Sequence, residues 1–165
     1  MHHRMGSRVT TVRRIGIVSV QNDRGLGIEN LHPAVVAVAG GLFVQGFYAD
    51  AIRNAVVALE LRVQRQSKLG ETSGVTLMKQ AFEGDPPPID LSWESGISGK
   101  NEQQGLQLVF MGLMKAIRNP KSHRLVEQDD PQRALEYLGM VSVLFRRLDD
   151  AEGKVAQRRT TSCTD

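Results

Sequence analysis

Ile52-Arg53-Asn54-Ala55-Val56-Val57-Ala58-Leu59-Glu60-Leu61-Arg62-Val63 is the stretch whose reading decides the fold. Ile52, Ala55, Val56, Leu59 and Val63 recur at steps of three and four residues, while Arg53, Asn54, Glu60 and Arg62 fall between them. Steps of three and four put apolar side chains on one face of an α-helix, whereas a half-buried strand would alternate residue by residue. The spacing predicts an amphipathic helix that runs to about Ser67. Working outward, Gly70–Gly74 reads as a turn, and Leu77, Met78, Ala81 and Phe82 as a short helix. On the N-terminal side, Pro33 suits a first helical turn ahead of Val35, Val36, Val38, Leu42 and Phe43, and Gly46 ends that segment.

Gly84-Asp85-Pro86-Pro87-Pro88 cannot be helical, because each Pro lacks an N–H and restricts the residue before it. The segment from Gly84 to Lys100 therefore reads as a long loop, ordered or mobile. Helical spacing returns with Leu106, Val109, Phe110, Leu113, Met114 and Ile117, in a helix expected from about Asn101 to Pro120. Asp130-Pro131 offers an N-cap and a first-turn Pro, and Leu135, Leu138, Val141, Leu144, Phe145 and Leu148 stripe a last helix. Four or five helices with short links predict an all-α bundle.

The chain has 165 residues, 41% of them hydrophobic, which supports one ordinary domain. No apolar run approaches the roughly 20 residues that cross a bilayer. Cys163 is the single cysteine, so neither a disulfide framework nor a thiolate metal site can be built. A soluble, cytoplasmic chain is the expectation. The net charge is +3, yet residues 31–150 carry 13 Lys and Arg against 14 acids. The basic excess sits in residues 1–30, with five Lys and Arg against two acids, and in residues 151–165. Residues 1–30 read as an N-terminal arm or linker, residues 31–150 as the helical domain and residues 151–165 as a disordered tail. With a near-neutral body, any nucleic-acid role must come from a local site.

Most signals of chemistry are absent. Gly96–Lys100 has the wrong spacing for a phosphate loop, His2 and His3 lack partners at zinc spacing, and the methionines lie on helical faces as core filler. Trp93 reads as a cap on the bundle or as a binding contact. One cluster stands out: Ile117-Arg118-Asn119-Pro120-Lys121-Ser122-His123-Arg124, at the end of an apolar-striped helix. On an unbroken helix Arg118 and His123 lie about 140° apart. Pro120 biases Asn119 out of helical geometry, which allows a bend that brings both side chains to one edge. A fixed guanidinium beside a titratable imidazole suits a phosphodiester, with Arg holding phosphoryl oxygens and His moving a proton. The bland alternative is a polar helix end whose cations offset the dipole.

Arg118-Asn119 followed by His123, in a small all-α domain, resembles the Arg-x4–6-His motif of the HEPN superfamily. More narrowly, residues 31–150 resemble a Ymh-like family of uncharacterised bacterial and phage proteins. The resemblance rests on Leu31-His32-Pro33, Gly46–Ala51, Ala58-Leu59-Glu60, Leu77-Met78, Ala81-Phe82, Ile117–His123 and Ala134–Leu138. It implies an HEPN-like bundle of four or five helices, and a metal-independent endoribonuclease of defence or toxin–antitoxin type. Arg118 and His123 would form the catalytic pair, with Asn119 as the polar residue after the Arg. No cofactor or metal is expected, and an antitoxin or defence protein is an expected partner.

The chemistry would be attack by the 2′-hydroxyl of RNA, which needs a proton acceptor, a proton donor and positive charge near the phosphorane. One His per cluster points to a homodimer that pairs two clusters. Lys121 and Arg124 suit neighbouring RNA phosphates. Glu60 reads equally as a partner that orients Arg118 and as a surface acid, and His32 as a helix-entry packing residue before Pro33. The alternative function is a non-catalytic HEPN-like module that binds a nucleotide, nucleic acid or a partner protein.

Overall fold

The computed structural model describes residues 27–118 and 130–161, with side chains as far as residue 155. Among these there are five α-helices and no strand: α1 Pro33–Val44, α2 Tyr48–Ser67, α3 Gly74–Phe82, α4 Gly96–Leu113 and α5 Pro131–Thr161. The fold is all-α. None of the described helices is long and apolar enough to cross a membrane.

The central element is α2, which packs against α1, α3 and α5. Ala51 and Ala55, both fully buried, let its backbone come close to its neighbours, and Val56, Leu59 and Val63 fill the core beyond them. Gly46, at φ +84°, makes the turn between α1 and α2, a left-handed conformation that glycine adopts without strain. Phe43 and Tyr48 meet edge to face across it at 5.2 Å. Two elements start on their expected signals. Asp130 Oδ1 accepts from Gln132 N at 3.0 Å ahead of Pro131, and His32 Nδ1 accepts from Ala34 N at 3.1 Å ahead of α1.

Three expectations are corrected. The folded domain begins before residue 31: Ile28–Asn30 form a 3₁₀ turn whose Ile28 is buried in the core. The last helix covers 151–161, where a disordered tail was expected. Ala151 is buried, Arg62 Nη2 reaches Glu152 at 2.7 Å, and Lys154 Nζ donates to Ser92 O.

The third correction concerns the end of the proline-rich segment. α4 starts at Gly96 rather than near Asn101. The cause is Glu102, whose Oε2 folds back to accept Trp93 N at 2.7 Å and Glu94 N at 3.3 Å, so the first turn is stabilised from within α4. Residues 83–95 form no helix, yet Ile89 and Leu91 are buried. Gln103 fastens them: its Oε1 accepts from Leu91 N at 2.7 Å, and its Nε2 donates to Phe82 O and Ile89 O, both at 2.9 Å. Arg147 of α5 ties the same segment from the other side, donating to Leu91 O at 2.7 Å and pairing with Glu102.

The start of α4 leaves no room at Gly99, where a Cβ would stand 2.2 Å from Glu94 O, a backbone atom. Gly99→Ala is therefore expected to cost about 2 kcal/mol. Gly105→Ala, where a Cβ meets nothing within 4 Å, should gain up to about 1 kcal/mol. Urea unfolding of the two variants checks this, and a mild effect at Gly99 would contradict the packing described.

Burial opposes ionisation of Glu102, but the Trp93 and Glu94 amides and Arg147 outweigh it and hold the carboxyl below its ordinary value. A lowered folded-state value stabilises the fold above the ordinary carboxylate range, and that contribution disappears as pH falls through the lowered value. The stability gap between wild type and Glu102→Gln should therefore be widest near neutrality and narrow in acid. A gap independent of pH would argue against ionic anchoring.

Candidate functional site

Glu60 falls between Val56 and Val63 on the face that α2 turns to the core, and it is 3% exposed. Packing of α3 and of the turn that follows α4 over α2 buries it. A carboxylate in that position requires donors. Oε1 accepts from Gly74 N at 2.5 Å. That amide opens α3, so the carboxylate also meets the positive end of the helix dipole. Oε2 pairs with Nε of Arg118.

The route by which Arg118 reaches Glu60 is set by the end of α4. Residues Met114–Arg118 form a π-helical turn in which Met114 and Ile117 are buried. An i→i+5 turn brings residues five apart onto one face, which carries Arg118 round to the side of buried Leu113. The turn packs against α2 and α3, and Arg118 Nη1 lies beside Gly74. The side chain is nevertheless 42% exposed. Glu60 thus holds Nε, while part of the guanidinium faces solvent in a fixed orientation. Such a group can offer its other N–H donors to a phosphate or carboxylate. Glu60 is an orienting partner of Arg118 and not a surface acid.

Of the remaining expected site residues, Asn119, Lys121, His123 and Arg124 lie outside the described residues, as does the bend at Pro120. The pairing of two Arg118–His123 clusters turns on those same residues. Among the described residues no group of His, Cys, Asp and Glu is arranged to hold a metal.

His32 is built into a network. Its Nδ1 accepts the Ala34 amide, so the ring proton sits on Nε2 and is donated to Asp149 Oδ2 at 2.7 Å. The ring stacks on Phe145 at 5.0 Å, and Arg62 bridges Asp149 and Glu152. Both nitrogens are engaged, which fits a residue that caps α1 and ties it to α5.

Sequence reasoning missed one feature and left a second undecided. A polar cleft of 630 Å³ lies beside residues 83–95, with Lys100 and Asp85 paired at 3.1 Å at its edge. Trp93 does not cap the bundle: it is 65% exposed and lies 4.3 Å above the Arg147 guanidinium. Neither feature had a local signal, because each depends on residues more than ten positions apart.

Breaking the Glu60–Arg118 pair from either side should destabilise the fold by about 1–3 kcal/mol, with the same loss largely shared. In a cycle of Glu60→Ala, Arg118→Ala and the double variant, a coupling of about 1 kcal/mol or more is expected. Additive effects would show that the two side chains act independently.

No curated protein and no solved structure matches the chain. The model of the family described as "Protein of unknown function (Hypoth_ymh)" matches residues 29–148. The match begins at the 3₁₀ turn that enters the core and ends at Leu148, which is fully buried in α5. It spans most of the chain and every element from α1 to the body of α5, and on that ground the protein belongs to the Hypoth_ymh family.

Proposed function

We propose that the protein is a metal-independent endoribonuclease of the HEPN type, acting in a defence or toxin–antitoxin setting. The observation that supports this reading is the state of Arg118. Its guanidinium is anchored by a buried carboxylate yet 42% exposed, immediately before the Asn119–Arg124 run that contains His123.

In this reading Arg118 is a preset cation for the non-bridging oxygens of a phosphodiester. Such a group acts most strongly on charge that builds up at the phosphorane, because its orientation costs nothing at the moment of reaction. In a dimer that pairs two clusters, His123 of one protomer takes the proton of the 2′-hydroxyl and the partner's His123 gives one to the leaving 5′-oxygen. Lys121 and Arg124 hold flanking phosphates. Glu60 positions Arg118 without touching substrate. The nucleophile belongs to the RNA, so the products are a 2′,3′-cyclic phosphate and a free 5′-hydroxyl.

His123→Ala should lower the cleavage rate by about 10²–10⁴-fold, and Arg118→Ala should lower it by roughly 10²–10³-fold. Circular dichroism should show both variants folded. Cleavage should persist in EDTA, yield the cyclic phosphate and spare DNA of the same sequence. Equal cutting of DNA, or arrest by chelation, would exclude this mechanism. Binding of RNA without cleavage by the wild type would assign the site to a non-catalytic module, a reading favoured by the near-neutral charge of residues 31–150.

A further inference from the structure

The solvent-facing side of α5 carries a pattern that the Arg118 site does not use. Arg133, Glu136, Met140, Val143, Arg147 and Asp150 follow one another at alternating steps of three and four residues. At 100° per residue they share a strip about 100° wide, the heptad spacing of a helix that pairs with another helix. The middle of the strip is apolar and open: Met140 is 38% exposed and Val143 57%. α5 packs on α1 and α2 through its other side. At one end Trp93 stands out over Arg147. At the other end Arg133, Glu136, Tyr137 and Met140 line a hollow of 330 Å³.

We propose that this strip is a contact between two copies of the chain, with the two α5 helices antiparallel about an axis between Met140 and Val143. The register follows from the sequence. With Met140 opposite the partner's Val143, Glu136 falls opposite the partner's Arg147, and Arg133 opposite the partner's Asp150. The exposed Arg133 and Asp150 then meet as a pair of opposite sign, which the two-fold repeats, while Arg147, 11% exposed and paired with Glu102 in its own chain, stays beneath Trp93 and makes no ion pair across the contact. Parallel pairing in register would set Arg on Arg and Glu on Glu. Sliding the antiparallel pair by one heptad in either direction would set a charge against Met140 and another against Val143. One register satisfies both the apolar centre and the charges.

The two end features fit the same geometry. Trp93 lies over Arg147, so it arrives at the partner's Glu136 and hence at the partner's hollow. The guanidinium beneath it is held by Glu102 and Leu91 O, which makes the indole a preorganised knob. Trp seated in a pocket is among the residues enriched as interface anchors. The contact uses none of the residues of the Arg118 site, and it does not rest on the ribonuclease reading.

Trp93 is the single tryptophan, so its emission reports directly on the contact. Sedimentation equilibrium of the full chain from about 1 to 100 μM should show the 18.2 kDa mass rising toward twice that value. Trp93 emission should move to the blue over the same range. Trp93→Ala, Arg133→Asp and Asp150→Arg should each weaken association by roughly tenfold or more with an unchanged circular dichroism spectrum. The combined Arg133→Asp/Asp150→Arg chain should regain it, because the reversed charges meet again across the axis. A chain that stays at 18.2 kDa throughout overturns the proposal. So does a dimer with unchanged Trp93 emission, or a double reversal no better than its single variants. None of these readouts involves RNA, so failure here and failure of the ribonuclease reading are separately visible.

Discussion

A carboxylate buried in the middle of the central helix has to be met by donors, and Glu60 obtains its two donors from two different elements that pack over α2. One is the first amide of α3 and the other is Arg118 at the end of α4. Apolar burial across the whole core, in which Val56, Leu59 and Val63 take part, supplies most of the energy that assembles the bundle. That force is non-directional, and it does not say where the start of α3 must lie or how the last turn of α4 must wind. The Glu60 pairings do. The π-helical turn that brings Arg118 round to Glu60 keeps Met114 and Ile117 in the core at the same time.

The same division of labour appears at the other end of α4. The proline-rich segment cannot make backbone ladders of its own, and its buried polar groups still need partners. Gln103 and Glu102 reach back to them from α4, and Arg147 reaches across from α5. Ile89 and Leu91 then enter the core as firmly as helical residues do. At the opposite face His32 caps α1, stacks on Phe145 and hydrogen-bonds Asp149, which joins the first and last helices. Polar side chains with fixed geometry thus specify an arrangement that hydrophobic burial stabilises.

For function, the consequence is an arginine whose orientation is set by the fold. A cation held from behind by a buried acid keeps its direction when a ligand arrives, and it retains exposed donors to use. That is the physical content behind the HEPN-type reading. Under that reading the contact with phosphate would come from this one local group rather than from a broad basic surface.

The sequence by itself determined the class of fold and most of its elements. Steps of three and four residues from Ile52 to Leu148 are a local property, and local hydrogen bonding turns them into helices whatever lies nearby. The turn at Gly46, the cap at Asp130-Pro131 and the entry at His32-Pro33 were legible for the same reason. The start of α4 was not, because Gly96–Lys100 is glycine-rich and its helical geometry is supported by Glu102 folding back on the Trp93 and Glu94 amides just ahead of it. Nor was the continuation of α5 past residue 150, which rests on contacts from Arg62 and Ser92. Arg118 was identifiable as a candidate from its neighbours alone. That Glu60 would be buried and would hold it was decided only in three dimensions, since residues 58 positions apart have no common periodicity and meet solely because α3 and the π turn pack over α2.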